Sequence, residues 1–324
     1  MKFLIIRFSS IGDIIMTSPV PRCLKAQLPG AEVHFVTKKQ NRFLAEANPH
    51  FDKYFLLEDS LTDLARQLRA ERYDAVIDLH NNLRTWRLTA LLGQVPVYRF
   101  DKLNWQKLLL TKFKINILPK NGHVVDRFMA TVSRFGVVND NRGLDYFIPP
   151  ADEVLLAVLP ETHRRGYVAF AIGGQDATRR LPLPKLLELC GKIGEPLLLI
   201  GGKEDADMGR RITETLNNPL IVSVCGQFSF NQSASLIRQA RYVFAHDTGM
   251  VHVSAALKKQ TVIILGNIVR EFGHLPYQTE QVVWEVNGLP CRPCSKIGYE
   301  RCPQGHFRCM NDQVLDMTTI PWSV

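Results

Sequence analysis

Short apolar runs alternate with turns and amphipathic stretches along this chain, and that alternation limits its fold more than any other feature. Residues 3–6 read as a buried strand, cut off at Arg7 and followed by a turn and a helical stretch over 14–28. Pro19 and Pro21 fall in the first half of that stretch, so a kink or a late start is expected there. The two patterns then take turns, with strands at 32–37, 53–57, 73–79 and 95–100 and helices at 61–72, 84–92 and 124–135. Periodicity fades over 139–150, which ends in Pro149-Pro150. It resumes with strands at 167–172, 196–200, 220–224, 242–245 and 261–265, separated by helices at 183–193, 205–216, 232–240 and 250–257. Apolar runs this short, each followed by a helix, imply parallel strands joined by crossover helices. The expectation is an α/β chain of two Rossmann-like, doubly wound domains, 1–150 and 151–324, with ligands at the carboxyl ends of the strands.

Composition narrows the function classes. The chain of 324 residues suits two domains of about 150 each. At 46% hydrophobic and 22% charged it has the balance of a soluble globular protein. No apolar run approaches the ~18 residues a membrane span needs. The run at 3–6 is also too short for a signal peptide, so cytoplasmic residence is expected. A net charge of +9 points to an anionic partner: nucleic acid, a phospholipid surface or an acidic glycolipid. With no RNA-recognition signature, nucleic acid is not expected. Eight basic residues lie between Arg99 and Arg134 against two acidic ones, Asp101 and Asp126, and Trp105, Leu108, Leu109, Leu110 and Phe113 interleave with them. That pattern fits an acceptor-binding or membrane-interfacial segment, and equally a core-packed helix with a solvated basic face.

Two loops are the candidates for chemistry. In the first, Arg7-Phe-Ser-Ser-Ile-Gly-Asp13 leaves the first strand, and Asp13 opens the next helix. A carboxylate there is either a helix-start acid favoured by the dipole or a general base. In the second, Asp247-Thr248-Gly249 turns the chain between the strand at 242–245 and the helix at 250–257. Asp or Thr can cap such a helix, Gly249 allows close backbone approach, and the free N–H groups of the first turn suit a phosphate, so the stretch is either an ordinary capped strand-turn-helix or a phosphate site.

Asp247-Thr-Gly-x-x-His252-x-x-Ala255-Ala256 resembles the donor-site signature of glycosyltransferase family 9, the lipopolysaccharide heptosyltransferases. Arg7-Phe-Ser-Ser-Ile-Gly-Asp13 resembles that family's N-terminal loop, whose closing acid is the proposed catalytic base. The resemblance covers essentially the whole chain. It implies a GT-B fold, two Rossmann-like domains facing across a cleft, with 1–150 binding the acceptor and carrying the base and 151–324 binding a nucleotide-diphosphate sugar. The implied reaction is inverting, metal-independent transfer of a heptose or similar sugar, with ADP-heptose as donor and an anionic glycolipid, the lipopolysaccharide inner core, as acceptor. No cofactor is required for it, and the acceptor implies peripheral contact with the cytoplasmic face of the inner membrane.

Residue by residue, the resemblance makes Asp13 the catalytic base, with Ser9, Ser10 and Gly12 shaping the acceptor loop. The polar run Asp78-Leu-His-Asn-Asn-Leu-Arg84 leaves a strand end and adds His80, Asn81 and Arg84 as acceptor-site candidates. Ile172-Gly-Gly-Gln-Asp-Ala-Thr-Arg-Arg-Leu-Pro182 is similar to the family's Gly-rich loop. Arg179 stands where the family has a diphosphate-binding Lys, and Leu181 where it has Trp. Thr178, Arg179, Asp247, Thr248, Gly249 and His252 form the expected donor set, and 201–205 resembles another donor-domain turn. A dehydrogenase is disfavoured because Gly-x-Gly-x-x-Gly is absent after the first strand. A bilobed, non-catalytic nucleotide-sugar or glycan-binding protein is the alternative.

Cys291-x2-Cys294-x7-Cys302-x6-Cys309 places four of the seven cysteines close in sequence. In a cytosolic chain such a set suggests a structural zinc, or a proline-braced loop of packed thiols. Cys23, Cys190 and Cys225 sit among apolar residues and read as core.

Overall fold

A computed structural model describes residues 1–120 and 122–321, and the chain divides into two compact units. The first comprises 1–104 and 122–147, the second 105–121 and 148–324. One crossing, at 147/148, falls inside the stretch where periodicity fades. The excursion of 105–121 into the second unit has no counterpart in the sequence pattern.

The first unit is built on a five-stranded parallel sheet: β1 (Lys2–Ile6), β2 (Glu32–Lys38), β3 (Lys53–Leu57), β4 (Ala75–Asp78) and β5 (Val97–Arg99), in the order β3-β2-β1-β4-β5. β1 lies at the centre, with Phe3 to Ile6 wholly buried. The helical stretch after it is broken in two. Helix α1 (Ile11–Met16) stops, and α2 (Pro19–Gln27) starts with Pro19 as its first residue, where a missing N–H costs nothing. Helix α3 (Leu61–Ala70) begins at Ser60, whose Oγ accepts the Asp63 N–H at 3.1 Å. It buries Leu64, Ala65 and Leu68 against Leu4, Ile6, Val36 and Val76, at roughly 1.5–3 kcal/mol for each large side chain. Helix α4 (Leu83–Leu91) is capped reciprocally by Asn82 and Thr85. The helix expected over 124–135 is shorter: α5 (Val124–Met129) ends, and a separate turn at Ser133–Phe135 follows. β-branched Thr131 and Val132 between them favour helix weakly, and Phe135 instead packs edge-on against Phe3 and Tyr98.

The second unit has a six-stranded parallel sheet: β6 (Val168–Ala171), β7 (Leu197–Ile200), β8 (Ile221–Ser223), β9 (Val243–His246), β10 (Thr261–Leu265) and β11 (Gln281–Glu285). The order is β11-β10-β9-β6-β7-β8. Helices α6 (Leu183–Lys192), α7 (Ala206–Leu216), α8 (Phe230–Gln239) and α9 (Gly249–Ala256) cross between the strands. Strand β11 is absent from the sequence reading: its Val-Val-Trp core is short, flanked by Gln281 and Glu285, and only its pairing with β10 defines it. The tail beyond β11 closes the core with Met310, Leu315 and Ile320. In each sheet the strand order switches sides beside its first strand, between β1 and β4 and between β6 and β9, the kind of position where parallel α/β sheets bind ligands at the carboxyl ends of their strands.

Candidate active site at the two switch points

At the first switch point, Arg7 leaves β1 with its guanidinium buried over the Phe100 and Phe128 rings, at 5.9 and 5.6 Å from their centres. Its Nε donates to the Ser9 carbonyl at 2.8 Å, Nη1 donates to the Leu79 carbonyl, and Nη2 lies 2.5 Å from Asp13 Oδ2. The Ser10 N–H and Oγ–H donate to the same oxygen at 3.1 and 2.9 Å. Asp13 therefore sits in the first turn of α1, where the helix dipole favours a carboxylate, and three donors converge on its Oδ2. Gly12 is buried beside it.

The loop after β4 is organised by Asp78, which is fully buried. Its Oδ1 accepts the N–H groups of His80 and Asn81 at 3.1 and 2.7 Å, and its Oδ2 lies 3.4 Å from Arg99 Nε. Asn81, in the left-handed region at φ 46°, donates from Nδ2 to the Phe100 carbonyl and accepts Trp86 Nε1–H, each at 3.0 Å. Both ends of its amide thus hold the loop. His80 is pushed down to about 3, foremost by burial and then by the positive charges of Arg7 and Lys102, so it stands neutral near physiological pH. Arg84 is exposed in the first turn of α4.

At the second switch point, the loops after β6 and β9 are joined by an ion pair, Arg179 Nη2 to Asp247 Oδ2 at 2.8 Å, with Asp247 almost fully buried. Thr248 occupies the cap position of α9 without a side-chain cap bond, and Gly249 is the first helical residue. His252 is buried one turn on. Arg180 Nη1 lies 3.6 Å from Asp205 Oδ1, and Asp205 Oδ2 accepts the Gly202 N–H at 2.9 Å. Burial raises the Asp205 carboxyl above its usual range, against the Gly202 bond. The turn at 201–205 therefore underlies the loop after β6, and a Cβ on Gly173 would collide with Asp205 Oδ2.

Three features here lie outside the sequence reading. Buried His246 accepts the Leu181 N–H on Nε2 at 3.1 Å, its Nδ1 faces the Ile172 carbonyl at 3.2 Å, and burial depresses it to about 4. Leu181 itself is core. Thr178 is bound to the C-terminal loop: its N–H and Oγ–H donate to the Tyr299 carbonyl, each at 3.1 Å, and its Oγ1 accepts the Tyr299 N–H at 2.8 Å. A strand-end histidine follows Ala245 visibly enough, but nothing in the pattern points to Tyr299, which is over a hundred residues away.

Cys23, Cys190 and Cys225 are buried as expected. Cys309 is also buried and its thiol is pushed up to about 12, while Cys291, Cys294 and Cys302 are half-exposed. Cys291 Sγ lies 3.8 Å from His306 Nε2. The donor chemistry suits zinc. Among the described residues, however, no three of these groups bring their ligand atoms within 4.8 Å of one another, so the loop does not form a closed ligand set.

Two doubly wound units, each built on a parallel sheet with crossover helices, are the architecture of the GT-B fold. Residues 61–302 match the profile of glycosyltransferase family 9 (heptosyltransferase), and the chain belongs to that family. It is 25% identical to lipooligosaccharide heptosyltransferase 2 of Haemophilus ducreyi, over 82% of each chain. The E. coli ADP-heptose lps heptosyltransferase II has a similar fold, with a TM-score of 0.68 and 21% identity over 96% of this chain and 98% of that one. So does the E. coli heptosyltransferase WaaC with ADP, with a TM-score of 0.68 and 19% identity over 92% and 96%.

Proposed function

We propose that this protein is an inverting, metal-independent transferase that moves a heptose from ADP-heptose to the lipopolysaccharide inner core at the cytoplasmic face of the inner membrane. The observation that carries the reading is the distribution of charge between the two switch points. Asp13 is a carboxylate held on Oδ2 by Arg7 and Ser10 at the first, and Arg179, paired with Asp247, stands beside the N-terminus of α9 at the second. Family membership supports the choice of donor, as does the likeness to a heptosyltransferase whose structure holds ADP.

In this mechanism Asp13 takes the proton of the acceptor hydroxyl as its oxygen attacks the anomeric carbon. The bond from that carbon to the diphosphate breaks on the opposite face, and ADP leaves with the electron pair, which inverts the configuration. Arg179 and the N–H groups at Thr248 and Gly249 stabilise the negative charge that grows on the diphosphate. Asp247 orients Arg179 and holds ribose or sugar hydroxyls, and His252 supports the loop. Thr178 shapes the loop rather than meeting the diphosphate, because Tyr299 engages both its N–H and its hydroxyl. On the acceptor side Ser9, Ser10 and Gly12 shape the Asp13 loop, Asn81 fixes the 78–84 loop, neutral His80 offers a hydrogen bond, and Arg84 meets an acceptor anion.

Mass spectrometry of the product from ADP-heptose and a heptose-free inner-core acceptor, with NMR of its anomeric centre, tests this reading. A product with one added heptose of inverted configuration supports it, and ADP release without a glycan product refutes it. The structural zinc suggested by the cysteine spacing would require the four sulfurs to close together. About one zinc per chain, with chelation lowering the melting temperature, supports that site. Metal-free protein of unchanged stability leaves packed thiols.

A further inference from the structure

We propose that the segment 105–120 is a docking surface for an anionic lipid bilayer. It rests on the proposed function only in that a membrane-borne acceptor gives such docking a purpose; the physical argument is independent. The segment is pinned to the second unit at both ends. Leu110 is sunk in that unit's core and Leu118 packs against it. Lys107 places its ammonium 5.5 Å from the centre of the Phe272 ring, and Lys114 Nζ donates to the carbonyls of Cys291 and Pro293 at 3.1 and 2.7 Å. Between those anchors a wide turn at Leu109–Phe113, closed by Lys114 in the left-handed region, carries the chain outward.

What it carries outward is apolar. Trp105 is 75% exposed, Phe113 66%, Ile115 52% and Ile117 55%. Single exposed hydrophobics are ordinary, but four large ones on one anchored segment are not. Lysine accompanies them at 107, 112, 114 and 120, and from 102 to 125 the sequence holds no Asp or Glu. A protein interface of this size has no need to exclude every acid. Anionic headgroups do, because each lysine near such a surface is attracted and each carboxylate repelled, while Trp, Phe and Ile side chains settle at the level of the headgroups. Lys112 and Lys120 are exposed on this segment.

The experiment is co-sedimentation of the full chain with phosphatidylcholine vesicles, with and without phosphatidylglycerol, both free of glycolipid acceptor. The parent protein is expected to bind only the anionic vesicles, more weakly in salt, and with a blue-shifted fluorescence that Trp105→Phe removes. A lysine at such a surface contributes roughly fivefold, so Lys112→Glu with Lys120→Glu should weaken binding at least ~25-fold. Phe113→Ser, Ile115→Ser and Ile117→Ser together should abolish it. Both sets should keep the parent's melting temperature and its transfer to a water-soluble, delipidated acceptor. Equal binding to neutral vesicles, no binding at all, or variants that bind like the parent overturns the proposal. Binding that appears only after acceptor glycolipid is added, or loss of transfer to the soluble acceptor, assigns the segment to the acceptor site and also overturns it. If the parent transfers no sugar, the proposed function fails while sedimentation still decides the docking.

Discussion

Replacing Arg179 by Ala separates two jobs that the ion pair performs at once. The sequence alone suggests a mobile cation whose removal costs only diphosphate binding. In the structure its Nη2 is 2.8 Å from Asp247 Oδ2, with the arginine side chain 22% exposed and the aspartate side chain 6%. Arg179→Ala therefore removes a phosphate ligand and also takes a positive partner from a buried carboxylate. Breaking a fully buried pair costs about 3–5 kcal/mol, and the partial exposure of Arg179 brings the expected loss to ~1–3 kcal/mol of stability. Loss of the charge-assisted bond to the diphosphate adds ~1.5–3 kcal/mol in ADP affinity, roughly tenfold to more than a hundredfold. The second variant, Arg179→Ala with Asp247→Asn, removes the stranded charge. It should recover most of the stability and none of the ADP affinity. Calorimetric ADP titration and thermal melts read the two effects separately, with about 2–4 °C per kcal/mol for a domain of this size. Parental ADP affinity in both variants would show that the nucleotide does not lie beside Arg179, and the donor-site assignment would fail even though the family stands.

Other expectations follow from single contacts. Asp13→Asn should lower kcat by ~10²-fold or more, with ADP-heptose affinity little changed; near-normal turnover refutes the base role. His246 is neutral in the fold and depressed to about 4, whereas the unfolded chain protonates it near ~6.5. Its contribution is thus fully present above the unfolded value and is lost as pH falls from ~6.5 to ~4, by roughly 3 kcal/mol. His246→Gln should flatten that part of the stability–pH curve, and an unchanged slope would exclude His246 as the source. Gly173→Ala would drive a Cβ into Asp205 Oδ2 and should cost ~1–3 kcal/mol in a urea melt while weakening ADP binding; a neutral effect would mean that the loop yields freely.

The strands and the loops that follow them were legible because both depend on short-range pattern. Runs such as 3–6 and 242–245 are apolar enough to be buried wherever they fall, and Pro19 announces a helix start. The candidate donor and acceptor loops each follow such a run directly. What escaped depends on distant partners. Asn81 looks like an exposed donor, yet its amide is committed to Phe100 and Trp86. Thr178 looks like a phosphate ligand until Tyr299 is seen to engage it. β11 exists because β10 has an open edge, and 105–121 belongs with the second unit because Leu110 finds its core there. None of these contacts leaves a periodic trace.

The Thr178–Tyr299 hydrogen bonds bear on how this chain can be shortened or redesigned. The two signature loops end by Ala256 and the last strand ends at Glu285, so a truncation after β11 keeps both signature loops and every strand in sequence. It would nevertheless discard the wall on which the loop after β6 leans: Tyr299 against Thr178, Gly298 close to Asp176, and Met310 beside Gly266 under the Thr178 carbonyl. A shortened chain would lose the shape of that loop together with the core residues Met310, Leu315 and Ile320. The tail is thus a structural mould for the segment 173–181, and grafting this loop onto a relative means carrying the tail along with the motif.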